Sequence, residues 1–214
     1  AGNSNIEADI DGDLYIAGGS VVVNGNVFED LLIAGGRVTV TGDVAGDLRI
    51  IGGQAAIYGN VGDDIVVGGG QIDLGKDAVV GGSFLMGAGI VTIDGHALED
   101  VRGLTGVVFL NGTVNRDVIV TVEDNLNISK LARVGGNLKY SALIEANIPP
   151  GVVAGSVEFN KFERESVLEE LTYLFFVQKV LSFVAALILM LLFVIFIPKV
   201  LVKSADLTRE NVLR

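Results

Sequence analysis

Short runs of alternating apolar residues fill the first two thirds of this chain, each broken by a pair of small residues and closed by Asn, Asp or Gly. Leu14 and Ile16, Leu31 and Ile33, Leu48 and Ile50, and Ile65 and Val67 point one way. Val21 and Val23, Val38 and Val40, and Ile72 and Leu74 follow on a second face, and Val27, Val44 and Val61 supply a third. Period-two alternation in β-branched runs, punctuated by turn formers, predicts short strands joined by tight turns. The pairs Gly18-Gly19, Gly35-Gly36, Gly52-Gly53 and Gly69-Gly70 mark one corner, with Gly87-Ala88 and Thr105-Gly106 in its place later on. Glycine is expected there because positive φ costs it nothing, and Asn and Asp tolerate the same corners.

The strands recur at a fixed period. Gly12-Asp13-Leu14, Glu29-Asp30-Leu31, Gly46-Asp47-Leu48 and Asp63-Asp64-Ile65 are each 17 residues apart. Glu99-Asp100-Val101 follows after two steps of 18, and Arg116-Asp117-Val118 after one more of 17. A repeat that cannot bury its own apolar face must stack on its neighbours. Three strands per 17–18 residues make one coil of a triangular β-solenoid, and residues 13–155 supply roughly eight such coils. At ~4.8 Å per strand the tube is about 40 Å long. Residues 120–131 and 142–150 exceed the repeat length, which predicts bulged or longer corners there.

The stacked phrases of residues 12–134, of the form GDLxIxGGxVxVxGxV, resemble the bactofilin-type polymer-forming proteins. The resemblance covers most of residues 10–155. It implies an all-β right-handed β-helix that assembles end to end without nucleotide. Most members of that family are cytoplasmic and lack a long apolar helix after the solenoid. This chain looks more like their exported, membrane-anchored branch.

The apolar helix is the second signal. Residues 180–197, VLSFVAALILMLLFVIFI, contain no charge, and apolar residues continue on both sides from 171 to 202. As a helix, 18 residues span about 27 Å, enough for a hydrocarbon core. Lys179 can snorkel to the headgroups, and Tyr173, Phe175 and Phe176 lie where an interfacial belt would fall. Lys199, Lys203, Arg209 and Arg214 follow the segment, while Glu163, Glu165, Glu169 and Glu170 precede it. The basic side is expected in the cytoplasm and the solenoid outside, in the periplasm or on the cell surface. Ala1-Gly2-Asn3 suits an end left by signal cleavage.

The expected organisation is therefore an N-terminal cap at 1–11, a solenoid at 12–160, a juxtamembrane helix at 161–179, a single transmembrane helix at 180–202 and a cytoplasmic tail at 203–214. The tail ends in mid-phrase, which leaves open whether further transmembrane helices follow. Ser182, Ala185 and Ala186 share one helix face at i, i+3 and i+4 and are the candidates for helix–helix packing.

Charge narrows the partners. Residues 1–160 carry 20 acidic and 8 basic side chains. Such a surface repels phosphates, so no nucleic acid partner is expected, and the acidic excess reads as a solvated face. Cysteine is absent, which removes disulfides and thiol chemistry.

Residues that could carry chemistry are few. His96, in Asp94-Gly95-His96-Ala97, is the one histidine and sits at a corner. Left-handed β-helix acyltransferases use a histidine base, but on a six-residue repeat, and no second polar partner recurs near His96. Lyases and glycosidases on β-helices need clustered carboxylates with raised pKa values. Asp13, Asp30, Asp47 and Asp64 do stack at one corner, where an aspartate commonly hydrogen-bonds its own backbone. Cation binding along that ladder is left open; the glycine spacing does not match the calcium-binding nonapeptide repeat. The sequons Asn111-Gly112-Thr113 and Asn127-Ile128-Ser129 matter only in a host that glycosylates exported proteins. No catalytic, cofactor-binding or metal-ligating residue is assigned, and the chain is not expected to be an enzyme.

Two functions follow. The first is a membrane-anchored structural scaffold that self-associates or docks envelope components through the β-helix. The second is an accessory subunit of a larger membrane complex, with the solenoid covering its extracytoplasmic face. The partners are the lipid bilayer together with copies of the chain or other subunits.

Overall fold

Inward apolar residues can stack on their equivalents only if successive coils pair in parallel, and they do. The computed structural model describes residues 2–161, which form an all-β parallel solenoid. Its strands are β1 (Asn3–Ile6), β2 (Leu14–Val23), β3 (Leu31–Val40), β4 (Leu48–Ile57), β5 (Ile65–Leu74), β6 (Val79–Val80) and β7 (Phe84–Ile93). They continue as β8 (His96–Ala97), β9 (Val101–Leu110), β10 (Thr113–Val114), β11 (Val118–Ile128), β12 (Arg133–Val134), β13 (Leu138–Ala142) and β14 (Val157–Lys161).

Ten strands stack in the order β1-β2-β3-β4-β5-β7-β9-β11-β13-β14. The long ones wrap two faces of the tube, and their pairing omits one residue at the corner: Gly18 pairs Gly35 and Ser20 pairs Arg37, skipping Gly19 and Gly36. The third face is a minor sheet of β6, β8, β10 and β12, extended by single bridges that link Ile10, Val27, Val44, Val61 and Val80. Ten stacked strands make about nine turns, one more than expected. The gain comes from the ends. Within the segment 1–11, Asn3–Ile6 pairs with Ser20–Val23, and Ile6 and Ile10 pack against the core. Their polar side chains hid an edge strand that has neighbours on one side only.

Paired positions run Leu14, Leu31, Leu48, Ile65, Phe84, Val101, Val118, Leu138 and Val157. The step between Asp64 and Asp100 is therefore 19 plus 17, not 18 plus 18. Two extra residues sit in a turn at Lys76–Asp77, closed by the Ala78 amide donating to the Gly75 carbonyl at 3.1 Å. The same device recurs in the 20-residue step: the Ala132 amide donates to Ser129 at 3.1 Å. In both, a fully buried alanine follows the turn and refills the core. A bulge between Val122 and Asn125 supplies the remaining residue, within the segment expected to be irregular. The insertion also moves the later corner by one position. Ala88 aligns with Gly69, so the corner pair is Ala88-Gly89 rather than Gly87-Ala88.

The corner glycines serve a different purpose from the one expected. Positive φ occurs only at Gly12 and Gly151 among the described residues. Elsewhere the limit is the coil beneath: a Cβ on Gly36 would lie 2.8 Å from the Gly19 carbonyl oxygen, and one on Gly42 would clash with that of Gly25. Coils one strand spacing apart leave no room for it.

The core is one apolar cluster built from the stacked inward side chains of all three faces. Leu31, Leu48, Ile65 and Phe84 are completely buried on the first face, and Val23, Val40, Ile57 and Ile72 on the second. Near the C-terminal end Tyr140 is buried, its ring 5.2 Å from that of Phe159, and its hydroxyl accepts the Ala146 amide at 3.1 Å. That bond ties the irregular segment after β13 back to the coil. The helices expected from 161 onward, the transmembrane segment 180–202 and the tail lie outside the described residues, except Lys161, which ends β14. Among the described residues no helix is long and apolar enough to cross a membrane.

Candidate functional site

The stacked aspartates are structural before they are anything else. Each carboxylate accepts the backbone amide at the same position one coil on. Asp30 donates to Asp13 Oδ1 at 3.1 Å, Asp47 to Asp30 at 2.9 Å, Asp64 to Asp47 at 3.0 Å and Ser83 to Asp64 at 2.7 Å. The ladder resumes at Asp100, which takes the Asp117 amide at 3.0 Å, and ends with Asn137 taking that of Ser156. The side chains bond the next coil, not their own turn. A second ladder lies at the next corner: Asp9, Asn26, Asp43 and Asn60 accept the amides of Asn26, Asp43, Asn60 and Val79. Sequence reasoning missed it, although Asp and Asn alternate there at the 17-residue period.

The second carboxylate oxygen is left for cations of the chain. Arg49 reaches Asp30 at 3.1 Å and Asp47 at 2.5 Å, and Arg102 reaches Asp100 at 2.7 Å. The amide of Asp47, then Arg49, hold Asp30 below the usual carboxylate range. For Asp100 the Asp117 amide, then Arg102 and Arg116, do the same against the opposing effect of burial. A carboxyl group whose folded pKa is depressed contributes stability above its unfolded pKa and loses it as pH falls through the folded value. Acid should therefore weaken the solenoid below about pH 4. Asp100→Asn keeps the acceptor but not the charge, so its stability deficit at neutral pH should shrink in acid. Urea unfolding at pH 7 and pH 3 measures this, and a deficit that does not change with pH would refute it.

Since one oxygen of each ladder carboxylate is used by an amide, an uncharged isostere should serve. Asp47→Ala removes the acceptor of the exposed Asp64 amide together with the ion pair to Arg49 and should cost about 1–1.5 kcal/mol. Asp47→Asn keeps that acceptor and loses only an exposed ion pair, so it should cost under about 1 kcal/mol. Denaturant titration followed by circular dichroism distinguishes the two, and equal losses would refute the ladder's role.

No group of three or more metal-ligating side chains converges among the described residues. His96 is exposed on β8, in register with Val79 and Thr113, which offer it no acid or base partner. Asn111, the acceptor of the first sequon, is exposed and donates to Asp94 at 2.7 Å. Ser182, Ala185 and Ala186 lie outside the described residues.

The feature with no structural use is an apolar outer face. Outward positions on the first half of each long strand should be polar, yet they include Tyr15, Leu32, Ile51, Val66, Leu85 and Leu104, all exposed. Ile51 is 76% exposed. Between these knobs lie Ala34, Gly68 and Gly87, which open a groove of about 550 Å³ lined almost wholly by apolar atoms. The signal was in the sequence as a failure of the alternation at outward sites. The two open ends are the other candidate surfaces, since β1 and β14 each have one edge without a strand partner among the described residues. Compared with known protein families, curated proteins and solved structures, the chain finds no match.

Proposed function

We propose that this chain is a structural protein: a bactofilin-like β-solenoid, held at the cytoplasmic membrane by one helix at 180–202. It projects outside the membrane, has its C-terminus in the cytoplasm and builds a scaffold by associating with further copies. Its right-handed coil is what the resemblance to the bactofilin-type proteins implies. One observation carries the reading. The apolar column of the third face runs from Ile10 to Val153, and the edge of β1 is free to accept another strand among the described residues. A coil added there would continue both the backbone ladder and the core. The anchor rests on the charge-free run at 180–197 and the basic residues after it.

Extraction of the full chain in mild detergent, followed by light scattering and negative-stain microscopy, tests this. Filaments or large homo-oligomers are expected. A fixed assembly with unrelated subunits would replace the scaffold by an accessory subunit, a role favoured by the small face of Ser182, Ala185 and Ala186. A monomer would overturn both.

A further inference from the structure

We propose that two copies of this solenoid pair side by side, face to face, through the apolar outer face, with their long axes antiparallel. This goes beyond association through the ends and shares with the scaffold only the premise that copies of the chain meet. The occupant follows from how the face is built. The strand register aligns two outward columns across β2, β3, β4, β5, β7 and β9. One column reads Ala17, Ala34, Ile51, Gly68, Gly87, Leu104 and the other Tyr15, Leu32, Arg49, Val66, Leu85, Arg102.

A two-fold axis parallel to the strands, passing between β4 and β5, turns each column onto itself with the order of coils reversed. Ile51 then faces Gly68 of the second copy, Leu104 faces Ala17, and Ala34 faces Gly87. Every bulky side chain in the column meets a small one. In the other column Leu32 meets Leu85, Arg49 meets Val66, and Tyr15 meets Arg102, a cation over an aromatic ring. A shift by one coil keeps Ile51 over a glycine, Gly87, but places Arg102 against Leu32. The first register therefore fits better.

The face's two arginines offset part of the acidic corner beside it, where Asp13, Asp30, Asp47, Asp64 and Asp100 stack. Both arginines of the face are neutralised within their own chain: Asp30 and Asp47 hold the Arg49 guanidinium, and Asp100 holds that of Arg102. What remains toward a partner is mostly hydrocarbon. Isologous pairing of this kind closes with one two-fold axis and leaves both solenoid ends open. Six coils at ~4.8 Å and a face about 15 Å wide give roughly 430 Å² per copy, so a pair buries on the order of 900 Å². That lies below the ~1,200 Å² at which specific, stable interfaces begin and suits a weak, reversible pair.

The chain has no cysteine, so introduced thiols are unambiguous. In the full chain in mild detergent, Leu32→Cys with Leu85→Cys places thiols opposite one another across sheets ~10 Å apart, within reach of a bis-maleimide spanning about 8 Å. Within one copy the same two sites are three coils, about 14 Å, apart and out of reach. The double variant should give cross-linked dimers at least tenfold above either single variant. Adding Ile51→Asp should remove them while the strand signal in circular dichroism is unchanged. Cross-linking that is equal in the single variants would overturn the proposed register and face. Filaments without cross-links would overturn the lateral pair and leave the scaffold standing. A monomer in every variant would overturn both. Loss of membrane or partner association in Ile51→Asp, with no cross-link in the parent, would assign the face to another occupant and overturn the pair.

Discussion

Gly42→Val is expected to unfold the middle of the solenoid, with a loss of about 3 kcal/mol or more. Gly42 lies between Gly25 and Gly59 in a column where each coil rests on the backbone of the one before. A Cβ at 42 would clash with the Gly25 carbonyl oxygen, and the next nearest atoms are the Gly25 carbonyl carbon and the Asn24 carbonyl oxygen. All are backbone, so no side chain can swing away. The same stretch carries the amides of Thr41 and Gly42, both donating to Val23 at 2.9 and 3.2 Å, so lifting the coil also breaks its ladder. Gly87→Ala is the matching control. Its Cβ would meet nothing within 4 Å, and its stability should stay within about 0.5 kcal/mol of the parent. Thermal unfolding followed by circular dichroism compares them. Similar melting of the two variants would show that close approach is not the reason for the glycine.

Phe84→Ala should cost about 3–5 kcal/mol, because the ring is completely buried and rigid coils cannot collapse into the space it leaves. Phe84 stacks between Ile65 and Val101, and Met86 beside it is accommodated by Gly103, where a Cβ would strike the Met86 side chain. In a solenoid each coil touches only its neighbours, so the damage should be local. Hydrogen exchange should accelerate most at the amides of β5, β7 and β9, and least at β2 and β13. A uniform increase along the tube would mean that the solenoid unfolds as a single cooperative unit.

Both expectations depend on stacking, and stacking is where the sequence stops being sufficient. The aspartate column at 13, 30, 47 and 64 is visible by eye, but its partner is not. Whether an aspartate bonds its own turn or the amide 17 residues ahead depends on how the coils stack. The glycines were visible too, yet their reason is steric pressure from a coil distant in sequence, not local φ. The insertion at Lys76–Asp77 is hidden in the repeat spacing, because Ser83 stands where the period calls for an aspartate.

The sequence by itself determined the coil, its three inward columns, the corners and the irregular late turns. Each of these is local: period-two alternation, turn residues and a fixed repeat length act within one coil. The tertiary structure decided the register, and with it everything that joins one coil to the next. It turned residues 3–6 into the first strand, joined the two Asx ladders to their amides and drew Arg49 and Arg102 onto those ladders. It also aligned Ile51 with Gly68 and Gly87 on one outer face. These depend on distances between residues 17 to 20 positions apart, which hydrogen-bond geometry between stacked strands sets and no local pattern records.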